Sequence, residues 1–233
     1  MLLLIDIGNT STKVKFETVT RLDSNPSYKV KDLVNILGEY KILGETEVEA
    51  VVISSVVPKL TDVYTEYSRK ILNVEPLIVN AESSRYEVTG EVGADIIATM
   101  NACLGETIII SLGTATVINY VQDGVFKGVV IAPGVYTSVR SLIENTALLE
   151  SFTIEKPPSV LGLNTVECLQ SGAIYGHAAM IDGLIDRINP GDNVRIVAMG
   201  GFAEEIIPLC NRPIEIDNDL LFKGLIKIYE HSL

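Results

Sequence analysis

The chain has no tryptophan, few aromatic residues and only three cysteines among its 233 residues. With aromatic residues at 6%, the core must be built mainly from aliphatic side chains. Cys103, Cys168 and Cys210 lie far apart, which predicts neither a disulfide framework nor a zinc site and favours a reducing, cytoplasmic setting. His177 and His231 are equally isolated, so neither is assigned a role as a metal ligand.

Basic residues are also scarce, because 18 lysines and arginines face 30 acidic residues and the net charge is -12. This charge argues against nucleic acid or an anionic membrane surface as a partner. No apolar run is long enough to cross a membrane, and the apolar start Met1–Ile5 meets Asp6 at once, so no signal peptide is predicted. The net negative charge of the chain would repel an anionic substrate at long range. We therefore expect hydrogen-bond donors within the site to hold such a substrate.

What is present is an ordinary globular balance, with 47% hydrophobic and 21% charged residues. Strand and helix patterns alternate along the chain, which predicts an α/β protein with mixed sheets. A similar order of strand, hairpin, strand and helix occurs loosely in both halves. We therefore predict two similar lobes, 1–104 and 105–233, that face one nucleotide cleft.

Hydrophobic periodicity and turn residues locate the elements. Strands are predicted over 2–7, 13–17, 49–57, 76–79, 107–112, 125–132 and 194–199. Helices are predicted within 30–43 and over 60–72, 92–104, 136–149, 164–188 and 220–231. Residues 18–31 are predicted to be irregular. Asp123-Gly124 predicts a two-residue hairpin turn, and Asn164 with Glu167 predicts a capping box at the start of the longest helix.

Two polar turns follow buried strands and are typical of phosphate-binding loops. Asp6–Thr10 follows the run Leu2–Ile5, and Gly113–Thr116 follows Ile108–Leu112. The glycines let the backbone approach a ligand, and the amides and small hydroxyls are donors suited to phosphate oxygens. Together they predict a split site for a nucleotide triphosphate, although each turn alone is also compatible with a polar turn that binds nothing.

Two aspartates are candidates for chemistry. Asp6 stands at the carboxyl end of a predicted buried strand, where it could hold a magnesium ion through water. Asp95 follows Gly93-Ala94 at a predicted helix start, where it could act as a general base or merely cap the helix.

Two glycine pairs also leave alternatives open. Gly200-Gly201 would allow close approach to a nucleotide base or form a tight turn. Gly172 and Gly176 would allow helices to pack closely, either across a dimer or within one lobe.

Taken together, these residues resemble the type III pantothenate kinases, which have the actin-like, ribonuclease H-like fold shared by acetate kinases, sugar kinases and heat-shock chaperones. The resemblance runs nearly end to end through segments 4–10, 52–58, 86–95, 112–116, 131–134, 164–172, 200–201 and 220–229. Several ordered motifs at the family's spacing are far more specific than any one of them alone.

The resemblance implies ATP-dependent phosphorylation of pantothenate to 4′-phosphopantothenate, the first step toward coenzyme A. It implies a general base at Asp95, a contact of Thr114 with ATP, bound magnesium, a monovalent cation such as potassium or ammonium, and a homodimer. The implied phosphate loop comprises Asp6, Ile7, Gly8, Asn9, Thr10, Ser11, Thr12 and Lys13. The implied pantothenate contacts are Tyr86, Gly93, Ala94, Asp95, Ile96 and Thr165, with the site completed across the dimer interface.

Four departures from the family pattern bear on this expectation. Ser111 stands where the family has an aspartate that ligates the monovalent cation, and Ile96 stands where it has an arginine. Asn119 replaces a frequent acidic residue, and Glu87–Gly90 replaces the usual Asn-Pro after the tyrosine. Two alternatives therefore stay open: a non-catalytic relative that binds nucleotide, pantothenate or a protein partner, and a kinase for another small hydroxylated acid.

Overall fold

The chain folds into two units, each built around a five-stranded mixed sheet. A computed structural model describes residues 1–16, 18–39, 47–146, 149, 151–189, 191 and 193–233. Unit 1 comprises Met1–Leu104 and Leu220–Leu233, and unit 2 comprises Gly105–Asp219. The predicted division after residue 104 coincides with this one. Residues 220–233 were predicted in the second lobe and instead belong to unit 1, because their helix packs on an earlier helix of that unit.

The sheet of unit 1 combines an antiparallel meander with two parallel strands. Its strands are β1 (Leu2–Ile7), β2 (Ser11–Lys15), β3 (Val19–Asp23), β4 (Ala50–Ser55) and β5 (Leu77–Ile78), in the order β3-β2-β1-β4-β5. β4 pairs in parallel with β1, and β5 pairs in parallel with β4. Asp6, near the end of β1, therefore lies between Lys13 of β2 and Ser54 of β4.

Helices cover the two faces of this sheet. They are α1 (Val30–Glu39), α2 (Pro58–Tyr67, continued by a π-helical turn at Ser68–Leu72), α3 (Ala94–Asn101) and α7 (Leu220–Ser232). Leu3, Ile5 and Ile7 of β1 lie on one face, in a core that also contains buried residues of α1 and α2. α3 and α7 pack together and both contact β4.

Unit 2 repeats this arrangement of strands. Its strands are β6 (Thr107–Leu112), β7 (Ala115–Gln122), β8 (Val125–Pro133), β9 (Arg195–Gly200) and β10 (Glu215–Ile216), in the order β10-β9-β6-β7-β8. Its helices are α4 (Val135–Glu144), α5 (Thr165–Ile188) and α6 (Ala203–Ile206). An aliphatic core joins one face of the sheet to all three helices. The predicted α/β class with mixed sheets, and the similar order in both halves, are confirmed.

Most predicted elements are present, with local corrections. Residues 18–31 were predicted to be irregular, but β3 lies there as a short edge strand in which only Leu22 is buried. β10 and α6 were not predicted. The hairpin turn is confirmed, since Asp123 and Gly124 both have positive φ. Glu17 of a predicted strand, residues 40–43 of one predicted helix and residues 147 and 148 of another lie outside the described residues.

The predicted cap of α5 forms in part. The Glu167 N–H donates to Asn164 Oδ1 at 3.0 Å, as predicted. The Glu167 carboxylate, however, accepts from the Leu163 N–H at 2.9 Å, one residue before the cap. Over the described ranges, no helix is both long and apolar enough to cross a membrane. Among the described residues, Cys103, Cys168 and Cys210 form no disulfide.

Candidate functional site

The turn after β1 is a tight loop that presents backbone groups at the end of the strand. The Gly8 N–H donates to the Ser11 carbonyl at 3.1 Å, and a Cβ added to Gly8 would lie 3.2 Å from that same oxygen. Asn9 and Thr10 at the tip are exposed. Thr12 is fully buried, and its hydroxyl pairs with that of Ser24 at 2.9 Å. Strand pairing and this side-chain contact therefore fix the loop on both sides.

Asp6 carries a carboxylate into the buried end of the sheet. It is 8% exposed, and its two oxygens have different partners. The Ser54 hydroxyl donates to Oδ1 at 3.3 Å, and Lys13 Nζ lies 4.0 Å from Oδ2. The pKa of Asp6 is raised to about 6, chiefly by burial and to a smaller extent by the negative charge of Asp95. Lys13 and the Ser54 hydrogen bond oppose the shift because both stabilise the ionised form.

Asp95 belongs to the same electrostatic cluster. It lies in the first turn of α3, where its Oδ1 accepts the Ile96 N–H at 3.0 Å and the helix dipole favours a negative charge. Burial raises the pKa of Asp95, while this hydrogen bond and Lys13 lower it. We call Asp6, Lys13 and Asp95 the acid cluster. It combines two largely buried carboxylates with one lysine, and sequence reasoning had predicted all three separately.

Gly93 leaves the room that the Asp95 carboxylate occupies. A Cβ added to Gly93 would lie 2.5 Å from Asp95 Oδ1 and 3.7 Å from Val56 Cγ1. Val56 also lines a pocket of about 320 Å³ at the carboxyl ends of β4 and β5. The other residues lining this pocket are Ser55, Pro58, Thr61, Asp62 and Ile78. Val56 is therefore a common neighbour of Gly93 and of this pocket, both within unit 1.

The other predicted substrate contacts of unit 1 have varied surroundings. Ala94 and Ile96 are buried in α3. The Tyr86 ring is buried beneath the Arg85 guanidinium, and its hydroxyl donates to the Cys103 carbonyl at 2.7 Å, beyond the opposite end of α3 from Asp95. Contact of these residues with substrate remains a prediction.

The second predicted phosphate turn lies in unit 2, between β6 and β7. Gly113 and Thr114 are exposed, and the Gly113 N–H donates to the Ala115 carbonyl at 3.0 Å. The Thr114 carbonyl accepts from the Gly134 N–H at 3.1 Å and from the Thr137 hydroxyl at 2.6 Å. A Cβ on Gly134 would lie 2.2 Å from the Gly113 carbonyl oxygen, so only glycine allows α4 to begin against this turn.

Three further predicted residues of unit 2 can be placed. Ser111 is half-buried on β6, and Thr165 is exposed at the start of α5. Asn119 is buried on β7, and its Nδ2 has no hydrogen-bond partner among the described residues.

Gly200 has a structural explanation for its identity. Its φ is +116°, and a Cβ there would lie 2.3 Å from the Leu112 carbonyl oxygen. A close approach of β9 to β6 therefore requires this glycine.

Ser54 is the residue that sequence reasoning missed. It is fully buried, and its contact with Asp6 results from the parallel pairing of β1 and β4. The available signal was a pair of serines at the carboxyl end of a strand predicted to be buried.

Comparison with known proteins identifies a family. The family model for type III pantothenate kinases matches residues 2–187. A type III pantothenate kinase from Acholeplasma laidlawii is 32% identical over 247 residues, which cover 100% of both chains.

Comparison with solved structures supports the actin-like fold. A conserved Campylobacter jejuni protein assigned to the Baf family of transcriptional activators aligns with a TM-score of 0.69 at 16% identity, covering 99% of this chain and 98% of that one. An inorganic polyphosphate/ATP-glucomannokinase from an Arthrobacter strain aligns with a TM-score of 0.51 at 14% identity, covering 99% and 98%. At these identities the similarity shows the fold alone. This fold is the predicted two-lobe α/β class.

Proposed function

The chain belongs to the type III pantothenate kinase family, and from that premise we propose which of its residues carry the reaction. The reaction is transfer of the γ-phosphoryl group of ATP to the hydroxyl of pantothenate, which gives 4′-phosphopantothenate and begins coenzyme A synthesis. Phosphoryl transfer demands that a protein position both substrates and stabilise charge on the phosphates. The arrangement of the acid cluster supports a division of these tasks between Asp6 and Asp95.

Asp95 is the general base. It receives the proton of the pantothenate hydroxyl as that oxygen attacks the γ-phosphorus and the bond to the β-phosphate oxygen of ATP breaks. The observation that supports this assignment is a chain of contacts within unit 1: Gly93 adjoins Asp95 Oδ1 and Val56, and the Val56 N–H donates to the Ile7 carbonyl of the proposed phosphate loop at 3.0 Å. The charge of Asp95 also acts on Asp6, and that of Lys13 acts on both carboxylates. Tyr86, Gly93, Ala94 and Ile96 are the proposed contacts of the acceptor, and Thr165 is proposed to complete the acceptor site of the other subunit.

The loop from Asp6 to Lys13 holds the phosphates of ATP. Its backbone N–H groups and hydroxyls are hydrogen-bond donors, and Lys13 adds a positive charge. The chemistry of Asp6 also fits magnesium, because one buried carboxylate suits an ion that keeps most of its waters and takes its other ligands from phosphate. When bound, magnesium neutralises charge that develops on the phosphates.

The turn at Gly113 and Thr114 is the second ATP contact. Its exposed backbone and its attachment to the start of α4 support this role. Ser111 offers an oxygen to a monovalent cation but no charge. We therefore propose that potassium or ammonium stimulates this enzyme only weakly.

The working form is a homodimer in the cytoplasm. Unit 2 exposes Ile131, Tyr136, Leu161 and Leu163, each more than half accessible. α5 exposes a row of small residues, namely Cys168, Gly172, Gly176 and Ala179. Apart from the neighbouring residues and backbone of α5 itself, no described atom lies within 4 Å of a Cβ placed on Gly172 or Gly176, which favours packing between subunits over packing within one lobe. The free cysteines fit a reducing compartment.

The decisive experiment measures 4′-phosphopantothenate formed by the purified protein from ATP and pantothenate. Magnesium, potassium and ammonium are each supplied and omitted in turn, and circular dichroism establishes that the protein is folded. We expect turnover that needs magnesium and changes little with the monovalent cation. Asp95→Asn serves as the matched control, since it keeps the shape of the side chain and removes the base. Folded wild-type protein without turnover under any condition would overturn the proposal.

A further inference from the structure

Two adjacent serines end β4, and they face different neighbours. Ser54 is fully buried and donates to Asp6 Oδ1, its cross-strand partner in the parallel pair of β4 and β1. Ser55 instead accepts from the Val57 N–H at 3.1 Å and from the Thr61 hydroxyl at 2.7 Å. Because side chains alternate along a strand, Ser55 contributes to the start of α2 while Ser54 acts on the acid cluster.

The two carboxylate oxygens of Asp6 have different contacts. Oδ1 accepts from Ser54 of β4, and Oδ2 lies 4.0 Å from Lys13 Nζ on β2. Lys13 belongs to the proposed phosphate loop, whereas Ser54 does not. The hydrogen bond at Oδ1 restrains rotation of the carboxylate and, with it, the direction of Oδ2.

We propose that Ser54 is a positioning residue that fixes the Asp6 carboxylate and leaves Oδ2 oriented for the hydrated magnesium of Mg·ATP. The inference rests on the proposed function of Asp6 and adds a residue that acts through it. Without the Ser54 hydroxyl, the buried carboxylate loses a charge-assisted hydrogen bond and becomes free to turn.

The test is calorimetric binding of a non-hydrolysable ATP analogue to the 233-residue chain, with magnesium and with EDTA. Ser54→Ala is compared with Ser68→Ala, a matched control in which another buried serine loses a hydrogen bond, here to the Val74 carbonyl at 2.7 Å. For Ser54→Ala we expect a Kd about ten-fold weaker with magnesium, the scale of one lost charged hydrogen bond, and a Kd within about two-fold of wild type in EDTA. Ser68→Ala should match wild type in both buffers.

Two more variants separate positioning from stability. Ser54→Thr retains the hydroxyl and should recover most of the magnesium-dependent affinity, whereas Ser54→Cys keeps the side chain's size with a weak donor and should resemble Ser54→Ala. Wild-type binding that depends on magnesium, together with a Ser54→Ala affinity equal to that of Ser68→Ala, overturns the role of Ser54 alone. Wild-type binding that is indifferent to magnesium overturns the proposed function of Asp6 and the role of Ser54 with it.

Discussion

At the scale of single residues, the acid cluster contains ionisable groups whose charged forms are disfavoured by burial. Asp6 and Asp95 are both largely buried, and burial disfavours the ionised form of each. Lys13 is the cation that acts on both carboxylates, and Ser54 and the Ile96 N–H each supply one hydrogen bond. The acid cluster has two carboxylates and one lysine. This balance favours a ligand that brings positive charge, as Mg·ATP does through its metal ion.

Gly93→Ala should separate the position of Asp95 from its chemistry. The new Cβ would lie 2.5 Å from Asp95 Oδ1, and the carboxylate end of a side chain can move more cheaply than backbone. We expect the free energy of unfolding to change by less than about 1 kcal/mol, while kcat falls about 100-fold because the base is displaced by about 1 Å. Steady-state kinetics and urea unfolding measure the two effects. Full activity with an unchanged fold would show that the base tolerates this displacement or is not Asp95.

The buried charge of Asp6 should make stability depend on pH in a defined direction. Its pKa is raised from 3.8 to about 6, so the folded state keeps the proton after the unfolded state has lost it. The resulting stabilisation is complete below pH 3.8 and is lost as pH rises through about 6.

Asp6→Asn removes this dependence. Relative to wild type, the variant should gain roughly 1 kcal/mol more unfolding free energy at pH 8 than at pH 5. The measurement is urea unfolding of both proteins in EDTA at the two pH values. If the difference in unfolding free energy between the variant and wild type is the same at both pH values, Asp6 does not titrate between pH 5 and pH 8.

At the scale of elements, α7 supports the helix that carries Asp95. Gly224 of α7 meets α3 so closely that a Cβ would lie 1.7 Å from the Ala98 carbonyl oxygen. The last helix of the chain therefore belongs to the construction of the proposed site, although it follows all of unit 2 in sequence. No flexible side chain can give way here, since the atoms in contact are backbone.

Gly224→Ala should consequently be strongly destabilising. Pushing two helices apart costs at least about 3 kcal/mol, the upper end for overpacked cores, and displaces α3 with Asp95. Gly38→Ala is the matched control, because Gly38 is also a helical glycine of unit 1 and no described atom lies within 4 Å of its added Cβ. The free energy of unfolding of Gly38→Ala should rise by about 0.5–1 kcal/mol, because alanine has a higher helix propensity than glycine. Similar unfolding free energies for the two variants would contradict the close contact of α3 and α7.

Elements also show what a sequence can reveal. β1 and β4 were predictable because each is a run of aliphatic residues ended by polar ones. β3 was missed because an exposed edge strand with one buried side chain has no strong alternation, and β10 because two residues define a strand only through their pairing with β9. Ser54 was missed for the same reason, since its contact with Asp6 spans 48 positions and exists only through strand register.

At the scale of the whole molecule, both units share one strand order, although no repeat is visible in their residues. Each unit places a glycine-containing turn between its first two strands, at Gly8 and at Gly113. The fold was predictable from these paired turns and from the resemblance to a family. The oligomeric state was not, because the side chains and glycines on which the proposed dimer rests are recognised as exposed only once the chain is folded.

Gly176→Lys should test the homodimer. The new side chain would place a charge in the exposed row of small residues on α5, where the proposed packing of a second subunit would leave no space for it. We expect the sedimentation mass to fall to that of one chain, and turnover to fall with it because Thr165 is proposed to complete the partner's acceptor site. Gly38→Lys, which adds the same charge to an exposed helical glycine of unit 1, should leave both unchanged. If Gly176→Lys remains dimeric and active, α5 is not part of the interface. If the wild-type protein sediments as a monomer with full turnover, the dimer is not needed for the reaction.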